Sequence, residues 1–238
     1  MTRWLKSQTT VGFRRALGQV ATEFRLMRRH RHGRREARHL VLPPEPKVQL
    51  GSGTQPKPGW INLDLFAPSA DVTWDVREPL PFPDGSIAMV YSEHMLEHLA
   101  YPTDVKHLLS EIRRILRPSG VFSVVVPHCG DALRAYVDGD ERFFVGHDRL
   151  RSYMLTEEPT LMHHVNYWFR SDGLHQYGYD EATLGQVLRD SGFSGVHVRS
   201  YDPSIDSEKR FQLHSLYMEA VKPAAGGAAV RSELHACA

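Results

Sequence analysis

Apolar and polar positions follow two rhythms along this chain. Phe13, Ala16, Leu17, Val20, Phe24 and Met27 recur at helical spacing and predict one stripe of a helix within a basic arm, residues 1–42. Pro43-Pro44-Glu45-Pro46 breaks that pattern and opens a domain over 43–222. Short strand-like runs follow at 47–50, 61–65, 71–76 and 87–91. Ser92 is a good N-cap and predicts a helix start there. Val105, Leu108, Leu109, Ile112, Ile115 and Leu116 predict a helix over 103–116, stopped by Pro118-Ser119-Gly120. Val121 to Val126 is the continuous apolar run expected of a central parallel strand. Residues 128–179 are rich in His and aromatics, weakly periodic, and read as an irregular insertion over the site. A helix over 181–189, ended by Gly192, then precedes strands at 196–199 and 216–221. The Ala/Gly-rich residues 223–238 read as a disordered tail.

Alternation of strand and helix predicts an α/β fold, a mostly parallel sheet with helices on both faces. Ligands of such sheets bind at the carboxyl ends of the strands. That edge gathers Gly51-Ser52-Gly53, Asp64, Asp75 and Ser92. The glycines permit a sharp turn and close approach of a ligand. Gly51-Ser52-Gly53-Thr54-Gln55-Pro56 lacks the third glycine of a dinucleotide loop, and no GxxxxGK[ST] occurs. A carboxylate ending the second strand can accept from both hydroxyls of a ribose, and Asp75 from an adenine amine.

Val48-Gln49-Leu50-Gly51-Ser52-Gly53, Gly59-Trp60-Ile61-Asn62-Leu63-Asp64, Pro79-Leu80-Pro81-Phe82-Pro83-Asp84-Gly85-Ser86 and Tyr91-Ser92-Glu93-His94-Met95-Leu96-Glu97-His98-Leu99 resemble class I S-adenosylmethionine-dependent methyltransferases. So do Leu116-Arg117-Pro118-Ser119-Gly120 and His175-Gln176-Tyr177-Gly178-Tyr179. The resemblance implies a Rossmann-like sheet of seven strands. It implies S-adenosylmethionine as cofactor and S-adenosylhomocysteine as product. Gly51, Ser52 and Gly53 would border its methionine part, Asn62, Asp64 and Leu65 the ribose side, Asp75 and Val76 the adenine, and Ser92 and Glu93 the methionine side. Only ten residues separate Gly53 from Asp64, among them Pro56, Pro58 and Gly59. A crossover with its helix takes at least about 10–12, so the first helix is expected to be missing or reduced to a turn.

His94 and His98 are the candidates for a general base, His98 first, because a hydroxyl acceptor profits from a base and imidazole titrates in the useful range. His147, His164, Asn166, Tyr167 and His175, beside aromatic faces, suit a sugar or glycan acceptor, and the resemblance extends to bacterial sugar O-methyltransferases, including those of actinobacterial methylated polysaccharides. His94-Met95-Leu96-Glu97-His98 also matches HxxEH, the pattern of a zinc hydrolase. No spacing among the His residues and Asp131 or Asp138 commits to a divalent ion, and none is assigned.

Charge adds one asymmetry. Residues 1–40 carry eleven Arg or Lys against Glu23 and Glu36, leaving the rest net acidic. The arm reads as a solvated helix packed on the domain, a lid, a homodimer contact, or a grip on a polyanion such as RNA. Methylation of RNA, protein or another polymer gripped by this arm is the rival function, and a non-catalytic cofactor-binding module is a third reading. No apolar stretch approaches the ~18 residues of a membrane span. Two distant cysteines, Cys129 and Cys237, suit a reducing compartment and a cytoplasmic location, although an Arg-rich, acid-poor start overlaps with transit-peptide composition.

Overall fold

A computed structural model describes residues 9–145, 159–208 and 214–224. Seven strands, β1 (Lys47–Leu50), β2 (Ile61–Asp64), β3 (Val72–Thr73), β4 (Ile87–Glu93), β5 (Leu116–Pro127), β6 (Ser194–Val198) and β7 (Ser215–Val221), form one sheet in the order β3-β2-β1-β4-β5-β7-β6. β1 to β5 run parallel, and β7 lies antiparallel between β5 and β6. This is the mostly parallel α/β sheet expected from the alternation of elements, and the seven-stranded Rossmann-like architecture that the resemblance implied.

Burial explains each element. Val124, Val125 and Val126 are all buried, as a strand covered on both faces requires. Helix α2 (Thr103–Ile115) buries Val105, Leu108, Leu109, Ile112 and Ile115 against one face of the sheet. Pro118-Ser119-Gly120 does not end the strand, which already pairs Leu116 with Ile87. The sheet absorbs the breaker as a register shift, with Ser119 at φ 61 and its N–H donated to Lys222.

As the short spacing predicts, no crossover helix follows β1. Buried side-chain amides replace its hydrogen bonds: Lys57 N–H donates to Gln49 Oε1 (3.1 Å) and Asn62 Oδ1 (2.8 Å), and Asn62 Nδ2 donates to the Lys57 and Trp60 carbonyls and to Asp71. Trp60, Tyr201 and Ile205 cover Tyr91, Val125 and Tyr217 on this face.

Two expectations differ from the structure. No α-helix starts at Ser92. His94 N–H donates to the Val125 carbonyl, so sheet pairing carries past β4 before a 3-10 turn at Leu96–His98. The insertion is more regular than its sequence suggested: α3 (Cys129–Asp138), α4 (Arg142–Val145) and α5 (Leu161–Arg170) precede α6 (Glu181–Asp190). Cys129, Ala132, Ala135, Phe144, Val165 and Trp168 make a separate small core there.

The basic arm forms helix α1 (Val11–Glu36) along the β3 edge. Gly33 meets the Thr73 carbonyl so closely that any side chain would collide with it. Glu36 accepts from Thr73 N–H at 2.8 Å, and His30 packs edge-on against Trp74. Phe13, Leu17, Val20, Phe24 and Met27, the stripe read from the sequence, are 46–66% exposed. No helix among the described residues is long and apolar enough to cross a membrane.

Candidate active site

The turn after β1 and the tip of β2 build one end of the site. Gly51 and Gly53 have φ of 69° and 53°, the left-handed region that glycine adopts without strain. Met95 lies directly over Gly51, where a side chain would strike it, whereas the space above Gly53 is open. The Asp64 carboxylate accepts from Gly53 N–H (2.8 Å), Phe66 N–H (2.7 Å) and Ala67 N–H (2.8 Å). A carboxylate offers about four acceptor positions, so Asp64 keeps capacity for a ligand hydroxyl. The buried hydroxyls of Ser52 and Ser92 have no hydrogen-bond partner among the described residues. An orphaned buried hydroxyl is costly unless a ligand meets it. The donor set therefore fits a ligand with hydroxyl and amino-acid groups, as S-adenosylmethionine is.

Helix α1 reaches the residues that follow β2 and β3. Arg29 donates to the carbonyls of Leu65 (3.1 Å) and Phe66 (3.3 Å). The Asp75 carboxylate is held by Arg77 at 2.7–3.2 Å, and Arg77 also pairs with Glu23 of α1 at 3.2 Å. Burial works to raise the Asp75 carboxyl, but the Arg77 hydrogen bonds outweigh it and hold the group below the usual carboxylate range. The Asp75 side chain thus faces a guanidinium, with Val76 beside it half-buried. Asn62 has its amide engaged in the loop that replaces the helix.

Glu93 accepts from the Tyr91 hydroxyl and from Ser207 N–H, both at 3.0 Å. Tyr91 also bonds Asp206, which Arg199 grips through both nitrogens at 2.6 Å. Burial pushes the Tyr91 phenol far above its usual range, reinforced by Glu93 and Asp206. This network straps residues 199–208 to the strand tips. Sequence reasoning missed it, because nothing in a loop between two strands marks Asp206 as buried.

The two candidate histidines separate. His94 sits at φ 48°, its side chain buried, with Nε2 2.7 Å from Ser215 Oγ and Nδ1 3.6 Å from Glu97 Oε1. His98 leaves 40% of its side chain exposed, and its Nδ1–H donates to the Leu174 carbonyl at 3.1 Å. They do not share a helix face, as the HxxEH reading requires. His175 joins His98, with ring centroids 5.0 Å apart, and donates Nδ1–H to the Trp168 carbonyl at 3.0 Å. Of the other acceptor candidates, His164 stacks on Phe144 inside the insertion, where burial lowers its pKa. Asn166 donates to Met162 of its own helix, Tyr167 is half-buried, and His147 lies outside the described residues. Glu97, 2% exposed between the histidines, was quoted in the sequence only as part of a motif.

A family described as "Methyltransferase domain" matches residues 64–124. Solved structures similar to the chain include an S-adenosylmethionine-dependent methyltransferase from Archaeoglobus fulgidus, 17% identical, with a TM-score of 0.47, covering 82% of this chain and 94% of that one. Another, from Mesorhizobium loti, is 16% identical, with a TM-score of 0.44, covering 78% and 95%. Phosphoethanolamine N-methyltransferase 2 from Haemonchus contortus, in complex with S-adenosyl-L-methionine, is 14% identical, with a TM-score of 0.44, covering 78% and 50%. No curated protein matches the chain. The matched segment runs from the acid that ends β2 to the middle of β5, across the sheet that carries the glycine turn, and over those residues the chain carries a methyltransferase domain.

Proposed function

We propose that this enzyme methylates a hydroxyl oxygen of a sugar or glycan, with His98 as the group that meets that hydroxyl. Bound cofactor supplies a methyl group already activated by the positive charge of its sulfonium. The protein's part is to hold the cofactor, align the acceptor and handle one proton. Gly51, Ser52, Gly53, Asp64 and Ser92 are the residues we assign to the cofactor's hydroxyl and amino-acid groups. Leu65, Asp75 and Val76 line its base side, Glu93 the strand tip beside it, and Asn62 supports the loop.

One observation carries the hydroxyl reading. The Nδ1–H of His98 donates to the Leu174 carbonyl, which puts the ring's lone pair on Nε2, and 40% of the side chain is exposed. An imidazole fixed in that tautomer is prepared to take a proton from a hydroxyl. His94, buried against Ser215 and Glu97, is second to it. His175 and Tyr167 supply hydrogen-bonding groups of the kind a polyol uses.

A screen of labelled methyl transfer onto sugars, phenols and RNA tests the proposal. Labelling of sugars is expected. Labelling confined to RNA would replace it with the polymer reading, in which the exposed Arg28, Arg31 and Arg35 of α1 grip phosphates.

A further inference from the structure

We infer that Glu97, His98 and His175 form a site for one divalent cation of the first transition row, at the acceptor end of the cleft. Each residue offers one ligand atom, and the three atoms lie within 4.8 Å of one another. Two imidazoles and a carboxylate suit such ions, and an incomplete ligand set leaves positions open for water or substrate.

Three features make this a built arrangement. First, both imidazoles are already set for coordination. His98 donates Nδ1–H to the Leu174 carbonyl and His175 donates Nδ1–H to the Trp168 carbonyl, at 3.1 and 3.0 Å. A carbonyl can only accept, so each ring carries its lone pair on Nε2. Backbone carbonyls fix metal-ligating histidines in this way, setting both tautomer and ring direction. Second, Glu97 brings a carboxylate to a position 2% exposed, beside the two imidazoles. His94 lies 3.6 Å from the same oxygen and is itself fixed by Ser215, so it orients the carboxylate from behind. Third, the ligands come from two turns clamped together. Gln176 and Tyr177 N–H both donate to the Glu97 carbonyl, at 2.7 and 3.3 Å. Met95, two residues before Glu97, packs on Gly51, so the cluster sits beside the glycine turn.

The ion's role, unlike its binding, rests on the methyl-transfer reading. With the cation in place, His98 Nε2 coordinates it, and His98 acts on the hydroxyl through the ion. A coordinated hydroxyl is more acidic than a free one. Its O–H bond breaks and the proton leaves to a solvent water. The oxygen's electron pair forms the bond to the methyl carbon as the carbon–sulfur bond breaks, and that pair returns to sulfur.

The full chain, stripped of metal by a chelator, is titrated with MnCl2, and free Mn2+ is followed by its paramagnetic resonance signal. One equivalent is expected to bind. His98→Ala and His175→Ala should each weaken binding at least about tenfold, while His164→Ala, in the insertion's own core, should not. Added Mn2+ should raise labelled methyl transfer. Absence of binding, or equal affinity in wild type and both variants, overturns the site. Intact Mn2+ binding without any labelled sugar leaves the site standing and removes the sugar reading. Full transfer by the chelated protein onto a sugar keeps the sugar reading and overturns the ion's role in transfer, while the titration alone decides the site.

Discussion

The backbone N–H of Gly53 donates to the Asp64 carboxylate across 2.8 Å, so the acid that ends β2 is tied to the turn that follows β1. A ligand that bonds Asp64 therefore also fixes that turn. Hydrogen bonds to a charged group contribute about 1.5–3 kcal/mol. Asp64→Ala should weaken S-adenosylmethionine binding about 10- to 100-fold by calorimetry; undiminished affinity would remove Asp64 from the cofactor site.

His98 and His94 should respond differently to substitution. On the proposed function, His98→Ala should lower kcat about 100-fold or more and leave cofactor affinity nearly intact. A turnover equal to wild type would take His98 out of the chemistry.

Asp75 and Arg77 predict an acid-sensitive tie between the domain and α1. The Asp75 carboxyl is held below its unfolded value, so its stabilisation is present above that value, about 3.9, and is lost as pH falls through the lower folded value. At pH 7, Asp75→Asn should cost about 1–2 kcal/mol, or about 2–8 °C in Tm for a domain of this size. The gap between wild type and variant should begin to narrow below about pH 4 and close as the pH falls through the folded value. A gap that widens with acid would contradict the assignment.

Gly33 tests the docking of α1. A methyl group there collides with the Thr73 carbonyl, which is backbone and cannot turn aside. Gly33→Ala should destabilise the docked arm by about 1–3 kcal/mol and speed proteolysis between residues 28 and 40. An unchanged cleavage rate would show that the close approach is not maintained in solution.

Much of this architecture is legible in the sequence, for physical reasons that mark the limit too. Val121 to Val126 and the five buried positions of α2 announce themselves because one repeating environment covers each. The loss of the crossover helix follows from ten residues with two prolines, too short and too stiff for the usual route. What replaced it was hidden. Gln49 and Asn62 look polar, yet both are buried by the hydrogen bonds they make to Lys57 and its neighbours. The site divides the same way. Glycines and the strand-ending acid are marked by position, whereas the meeting of His98 with His175 depends on a tertiary contact between two turns. The periodicity of α3 and α5 was masked because His128 serves as a cap and Trp168 as core, roles that composition does not separate.

The place of β7 has a consequence for the order in which the enzyme is made. This strand, the last among the described residues, inserts between two that are synthesised before it. Until residues 215–221 emerge, β6 has no neighbour in the sheet, β5 presents a bare edge, and Ser215 is not there to meet His94. A nascent chain can lay down the glycine turn and its acid early, but the surroundings of His94 wait for β7 to close the gap.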